Sequence, residues 1–381
     1  MYTKVLRLTG MLVLTLLLML VISGAAWAKD TGQLDYADIA LLVPKENKQL
    51  DIMQRSLPLL HNTRDKMADA EKGMENITNA MRDLHAAYET VAQAPNLSSL
   101  DKTLITVLQN NLLFNQMSLG SVNFDTIDLQ IAQTRIQIEQ TQAALISGGQ
   151  QLFVGYHQLQ DTIKKMRDSR KLLEERLNLA KVQLGAGVGT ALAVKEAELA
   201  LAELDTAISQ LESQGAVMLG QLKMIVGWPQ GQIIKLGSIP KPNREFLGKI
   251  DLAADTKSAQ TNSYSLKLKQ QEHRYADGDE RKNLIKLNIA AQTEQIALAV
   301  STQYYKIVDK NSALLLEEQR LAVAEEKIKQ TRLQHQVGLL ADLALQAEES
   351  SYKMQQEAVK SALDALFWEI ESYKTIVAGL N

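Results

Sequence analysis

The 381-residue chain has no cysteine, which excludes disulfides and thiolate metal sites. Proline is scarce, at 6 residues, and aromatic side chains make up only 5%. That composition suits long helices and coiled coils better than a compact mixed fold. Beyond Ala28 no apolar stretch approaches the roughly 20 residues that a membrane-spanning helix requires. The five histidines (His61, His85, His157, His273 and His335) are scattered, with no HExxH or other paired spacing. There is no G-x-S-x-G elbow and no G-x-x-x-x-G-K-S/T loop. Gly187-Val188-Gly189 is too short for a dinucleotide motif. No catalytic residue, cofactor or bound metal is expected, and the chain does not read as an enzyme.

What is present begins with a leader. Lys4 and Arg7 form a basic head, an apolar run covers Met11 to Ile22, and small residues end in Ala26-Trp27-Ala28. This is the order of a secretory signal peptide over residues 1–28, with cleavage after Ala28. Removing Lys4 and Arg7 from the 41 basic residues leaves 39 against 44 acidic ones, a net charge of −5. A mildly acidic exported chain is a poor candidate for binding nucleic acid. Ala, Leu, Gln, Glu and Lys, all good helix formers, dominate the remainder. Without disulfides, such a chain must gain stability from packing or oligomerisation. Long helices bury little within one chain, so partners are expected.

Two proline-bearing stretches punctuate the sequence, Gln93–Ser99 and the Pro/Gly-rich Gly227–Lys249. Between them, Thr126–Leu184 contains no proline, and roughly 60 residues at 1.5 Å each make a helix on the order of 90 Å. Its apolar positions step by three and four through Leu145, Leu152, Tyr156, Leu159, Ile163 and Met166. The following tract keeps a strict 3-4 rule from Val194 through Leu201, Ile208, Gly215 and Leu222 to Ile225, the signature of a coiled-coil seam. Val300, Ile307, Leu314, Leu321 and Ile328 recur every seven residues, as do Leu345, Tyr352, Val359, Leu366 and Tyr373. Lys181–Glu198 can be laid without a gap over Arg332–Glu349. Gln183 then meets Gln334, Gly187 meets Gly338, Leu192 meets Leu343, Ala193 meets Ala344 and Glu198 meets Glu349.

These patterns predict an all-α chain of two duplicated long antiparallel helical hairpins, with little or no β-structure. The first repeat occupies 29–228 with its turn near 185–191. A linker covers 229–250, and the second repeat occupies 251–381 with its turn near 336–342. Gly185, Gly187 and Gly338 can close the outgoing helices, and Thr190 can cap the first return helix. Met53, Met67, Met74, Met81 and Met218 suit apolar helix faces better than copper binding.

The duplicated turns, Gly187-Val188-Gly189-Thr190 and Gly338-Leu339-Leu340-Ala341-Asp342-Leu343, resemble those of the TolC-like outer-membrane efflux family. The closes in Met224-Ile225-Val226-Gly227 and Val377-Ala378-Gly379 are similar to the family's apolar-Gly close. Gln33–Gln54 and Ile250–Gln271 look like the short helical openings of the two halves. The resemblance implies a homotrimeric α-barrel protomer in the periplasm and outer membrane. It would serve as a passive conduit working with an inner-membrane pump and a periplasmic adaptor protein. The adaptor would dock at the hairpin tips, through Gly187, Val188, Thr190, Leu192, Gly338, Leu339, Leu340 and Leu343. The family's acidic tip rings make Glu196, Glu198, Asp342, Glu348 and Glu349 candidates for lumen carboxylates. An acid at a helix start is also placed there by the dipole alone, and Gly and Thr make good turns without any partner. His335, beside the second turn, is open to a pH-responsive role, with a lone surface histidine the plainer reading.

The sequence departs from this family where the membrane barrel belongs. Only Leu119–Ile131, with Ile127, Leu129 and Ile131 alternating, and Asn283–Ala290, with Ile285, Leu287 and Ile289, show strand-like periodicity. Neither has room for two strands of about 9 to 11 residues. The expectation is a missing or rudimentary barrel, replaced by helix-to-helix connections near 116–126 and 275–284, so association with the outer membrane is open. The alternative is a structural coiled-coil protein of the cell envelope without transport activity.

Overall fold

The computed structural model describes residues 32–68 and 124–381, with Ala86 alone between them. The leader at 1–28, the proline stretch 93–99, Met74, Met81, His85 and most of the 116–126 connection lie outside the described residues. Eight α-helices and two short strands are seen among the rest. They run β1 (Gly32–Leu34), α1 (Asp38–Glu46), α2 (Lys48–Ala68), α3 (Phe124–Gly185), α4 (Ala191–Ile225), β2 (Ile234–Leu236), a 3-10 turn (Arg244–Lys249), α5 (Leu252–Asn262), α6 (Tyr264–Arg274), α7 (Asp279–Gln336) and α8 (Asp342–Val377). Among the described residues the fold is all-α apart from β1 and β2, which pair in parallel over three residues.

The chain forms two compact units. One takes the described part of Met1–Asn47 with Gly155–Ser238, the other the described part of Lys48–Val154 with Ile239–Asn381. In the first unit α4 lies antiparallel to the second half of α3. Gly215 makes room there, since a Cβ at that position would sit 3.4 to 3.5 Å from Leu159, Gln160 and Tyr156. Val194, Ile208, Gly215 and Leu222 are the buried positions of α4, every one a multiple of seven from the next, as a coiled-coil seam requires. Arg167–Glu212 at 2.5 Å, Arg170–Asp205 at 2.5 Å and Lys181–Glu198 at 3.1 Å run down its flank.

In the second unit α7 and α8 form the other hairpin. Val300, Ile307 and Leu314 of α7 and Leu366 of α8 are fully buried, with Ile370 and Tyr373 at 1% exposure. Ala259 of α5 and Leu266 of α6 complete that core. Each fully buried Leu or Ile contributes about 1.5–3 kcal/mol relative to exposure, so the seam holds the pair together. Two polar clasps interrupt it. The Gln303 amide donates to the Glu369 carboxylate at 2.6 Å and to its carbonyl at 3.1 Å. Gln355 does the same to Glu317, at 2.7 and 3.2 Å. A buried amide with one fitting partner penalises any slip along the seam, which would leave it unpaired. The Tyr373 hydroxyl donates to Asp255 at 2.7 Å.

Both repeats open in the same way, with two helices broken by a single residue, Asn47 between α1 and α2 and Ser263 between α5 and α6. An asparagine at each break reaches the end of its own return helix. Asn47 donates to the Ile225 carbonyl at 2.8 Å, and Asn262 donates to the Val377 carbonyl at 3.2 Å. Each return helix then closes on a left-handed glycine, Gly227 at φ 74° and Gly379 at φ 106°.

The described residues of the two strand-like stretches are helical. Ile127, Leu129 and Ile131 lie in α3, while Ile285, Leu287 and Ile289 lie in α7. Between α6 and α7 only Tyr275–Gly278 intervenes, turning on Gly278 at φ 81°. Four residues leave no space for spanning strands there. Among the described residues no helix is long and apolar enough to cross a membrane.

Candidate functional site: the two hairpin tips

Each hairpin reverses through a five-residue turn, and the two turns are built alike. In the first, the N–H of Gly187 donates to the Leu184 carbonyl and that of Val188 to Gln183, both at 3.0 Å. In the second, Gly338 donates to His335 at 3.0 Å and Leu339 to Gln334 at 2.9 Å. This paired closure of the last helical carbonyls is the Schellman arrangement, and it requires a left-handed residue after the helix. Gly187 and Gly338 supply it, both at φ 77°. The sequence overlay pairs these donors and acceptors residue for residue.

The overlay extends to the flanks. Lys181 pairs with Glu198 at 3.1 Å and Arg332 with Glu349 at 3.0 Å, so the same cation and acid bridge both hairpins one step from the turn. Lys327 holds Glu348 at 2.8 Å, leaving the carboxylate side chain 13% exposed. Of the five candidate lumen carboxylates, Glu198, Glu348, Glu349 and Asp342 thus have cationic or imidazole neighbours on their own hairpin. Glu196 is exposed on α4.

The return helices start differently. Thr190 Oγ1 accepts the N–H of Ala193 at 3.1 Å, an N-cap that satisfies one of the unpaired donors at the start of α4. Ala341, at the same place before α8, has no side chain to cap with. There Asp342 Oδ1 lies 2.6 Å from His335 Nε2. His335 is therefore not a lone surface histidine. It bridges the outgoing and return helices across the turn.

Around these turns the surface is apolar. Val188 is 80% exposed, Leu192 64% and Leu339 78%, while Leu340 is half-buried. Leu343 lies in the first turn of α8. The sequence reading left out Val182, Leu333 and Val337, which are as open as the residues it named. Val182 and Leu333 occupy equivalent places in the overlay, and that equivalence was the available signal. Apolar side chains grouped at an exposed tip mark a contact surface better than scattered ones do. Among the described residues no cluster of His, Asp or Glu could hold a metal ion.

No family model matches the chain, and no curated protein matches it. Among solved structures it is similar to the outer membrane protein VceC from Vibrio cholerae, at 13% identity and a TM-score of 0.43, covering 68% of this chain and 75% of that one. It is similar to CusC, whose structures concern folding and transmembrane channel formation, at 13% identity and TM-score 0.47, covering 91% and 96%. The outer-membrane channel OprN matches at 13% identity and TM-score 0.40, covering 86% and 92%. None of these likenesses carries a function across to this chain.

Proposed function

We propose that this protein is the passive conduit subunit of a multi-component export system of the cell envelope, assembled from copies of itself and docked at its hairpin tips. One observation carries the reading: α7 has two seams. Besides the buried one, Leu284, Leu287, Leu298, Tyr305, Val308 and Leu315 occupy the a and d slots of a second heptad. They are 60%, 68%, 67%, 61%, 37% and 48% exposed. This seam runs two residues out of phase with Val300, Ile307 and Leu314, and two residues at 100° each turn it to the other side of the helix. A helix apolar on two sides packs between two neighbours. Repeating that arrangement makes a wall of helices, which closes into a tube. The occupant of the open seam is a second copy of the chain, because its 3.5-residue period matches the seam already filled.

Three copies bring six hairpins together around a water-filled lumen. The tips meet a periplasmic adaptor through Val188, Leu192, Leu339 and Leu340, and substrate is driven in by an inner-membrane pump. Paired carboxylates have much of their field cancelled, so Glu196 is the candidate acid that acts most on passing ions. The α6–α7 end lies toward the outer membrane and, in the second repeat, ends in a turn.

Electron microscopy of the purified mature chain, with its native mass, tests the reading. A closed homo-oligomer with a central hollow is expected, and Leu298→Glu with Tyr305→Glu should disperse it while leaving helicity intact. Dimers or fibres with both seams filled would favour the envelope scaffold, and a monomer under all conditions would end the conduit reading.

A further inference from the structure

The two tips share a turn but not a fastening. At the first, the start of α4 is held by Thr190 Oγ1 on the Ala193 N–H at 3.1 Å, a contact with no titrating group. At the second, the cap position is Ala341, and the equivalent restraint is the 2.6 Å contact between His335 Nε2 and Asp342 Oδ1. In the overlay these two residues face Leu184 and Ala191, so the pair has no counterpart in the first hairpin. We propose that the second hairpin tip is an acid-tightened clasp, closed by the His335–Asp342 pair and loosened as that pair loses its charge, while the first tip is indifferent to pH.

The electrostatic surroundings are few. The turn 337–341 carries no charged residue. From α7, Arg332 stands one helical turn below His335, but it is engaged by Glu349 at 3.0 Å. Lys329 lies further down and is held by Glu326 at 2.7 Å. From α8, the acids facing this end are Asp342 itself, Glu349 and Glu348, the last held by Lys327 at 2.8 Å. Asp342 is thus the acid placed to meet a charge on the ring, and at 88% side-chain exposure it is held by little else. An imidazole changes charge between about pH 5 and 8, and a carboxylate loses its charge only near pH 4. With the ring protonated the contact is an ion pair. With the ring neutral it survives as a hydrogen bond of about half the strength. The sign follows: the clasp is tightest in mild acid and weakens as pH rises. The clasp belongs to the hairpin and stands apart from the conduit reading.

Hydrogen exchange on the full mature chain tests this, with peptides covering 332–345 compared with 181–194 as the internal reference. The ratio of protection factors, second tip over first, should fall by up to roughly 2-fold between pH 5.5 and 8.5, about half of what an exposed ion pair supplies. His335→Gln and Asp342→Asn should each flatten that ratio, with circular dichroism confirming unchanged helix. A ratio in the native chain that does not move with pH overturns the proposal, as does a fall that persists in His335→Gln.

Discussion

Four left-handed glycines close the ends of the two hairpins, and alanine at each should separate backbone strain from steric exclusion. At Gly187 and Gly338, both at φ 77°, nothing lies within 4 Å of an added Cβ. Alanine there incurs only the left-handed penalty of about 1–2 kcal/mol. At Gly227 the same backbone penalty applies, but the new Cβ would also stand 2.1 Å from the Glu46 carbonyl oxygen. At Gly379 it would stand 2.3 Å from the Asn262 carbonyl. Neither obstacle is a flexible side chain, so the preceding helix must shift, adding about 1–3 kcal/mol. Gly185 lies at the end of α3 without a positive φ and with open space around it. Alanine there should be neutral or stabilise by up to about 1 kcal/mol. Urea unfolding followed by circular dichroism, at one fixed protein concentration because assembly shifts apparent stability, should rank Gly185→Ala above Gly187→Ala and Gly338→Ala. Gly227→Ala and Gly379→Ala should come last, at about 2–5 kcal/mol. If Gly227→Ala loses no more than Gly187→Ala, the packing of the return-helix ends described here is wrong.

Removing the asparagine locks should also destabilise, by about 1–2 kcal/mol each. Asn47→Ala should lose more than Asn262→Ala, since Asn47 is 5% exposed and makes the shorter contact; equal losses in urea unfolding would count against it. Tyr373 titrates well above its ordinary value, first because it is buried and then because its hydroxyl donates to Asp255. Its folded value exceeds its unfolded one, so its contribution is complete below about pH 10 and declines as pH rises beyond. Tyr373→Phe should lose about 1 kcal/mol at neutral pH and show a shallower alkaline decline, read from melting curves between pH 8 and 11. Leu315→Glu, on the open seam of α7 at 48% exposure, should weaken assembly in sedimentation while leaving monomer helicity unchanged. A folding defect instead would place that residue inside the protomer.

The seams were legible because packing at a period of 3.5 writes itself into apolar spacing: Val300, Ile307 and Leu314 are apolar in the sequence and at zero exposure in the fold. The turns were legible because the left-handed position favours glycine, and the Gln, Gly and Glu pairs of the overlay carry the same contacts in both hairpins. Ile127-Leu129-Ile131 shows where periodicity is ambiguous. Residues two apart alternate on a strand, but those four apart share a helix face, and burial of Ile127 and Ile131 follows the second rule. The polar contacts were not legible. Asn47 and Asn262 look like ordinary break residues, and only the fold brings each beside a carbonyl more than a hundred residues away. The acids near the tips could be named, but their partners lie on the opposite helix, and heptad phase alone does not reveal which flank they take. His335 and Asp342 are seven apart around a turn, a separation with meaning only once the turn is known.

Both ends of each return helix are secured to its own repeat, at one end by the Schellman turn and at the other by an asparagine and a jammed glycine. Alpha4 and α8, at 35 and 36 residues, are therefore rods of about 52 and 54 Å tied at both extremities. A sideways force applied at a tip is delivered at the root as a lever delivers it, without being absorbed in loose joints on the way.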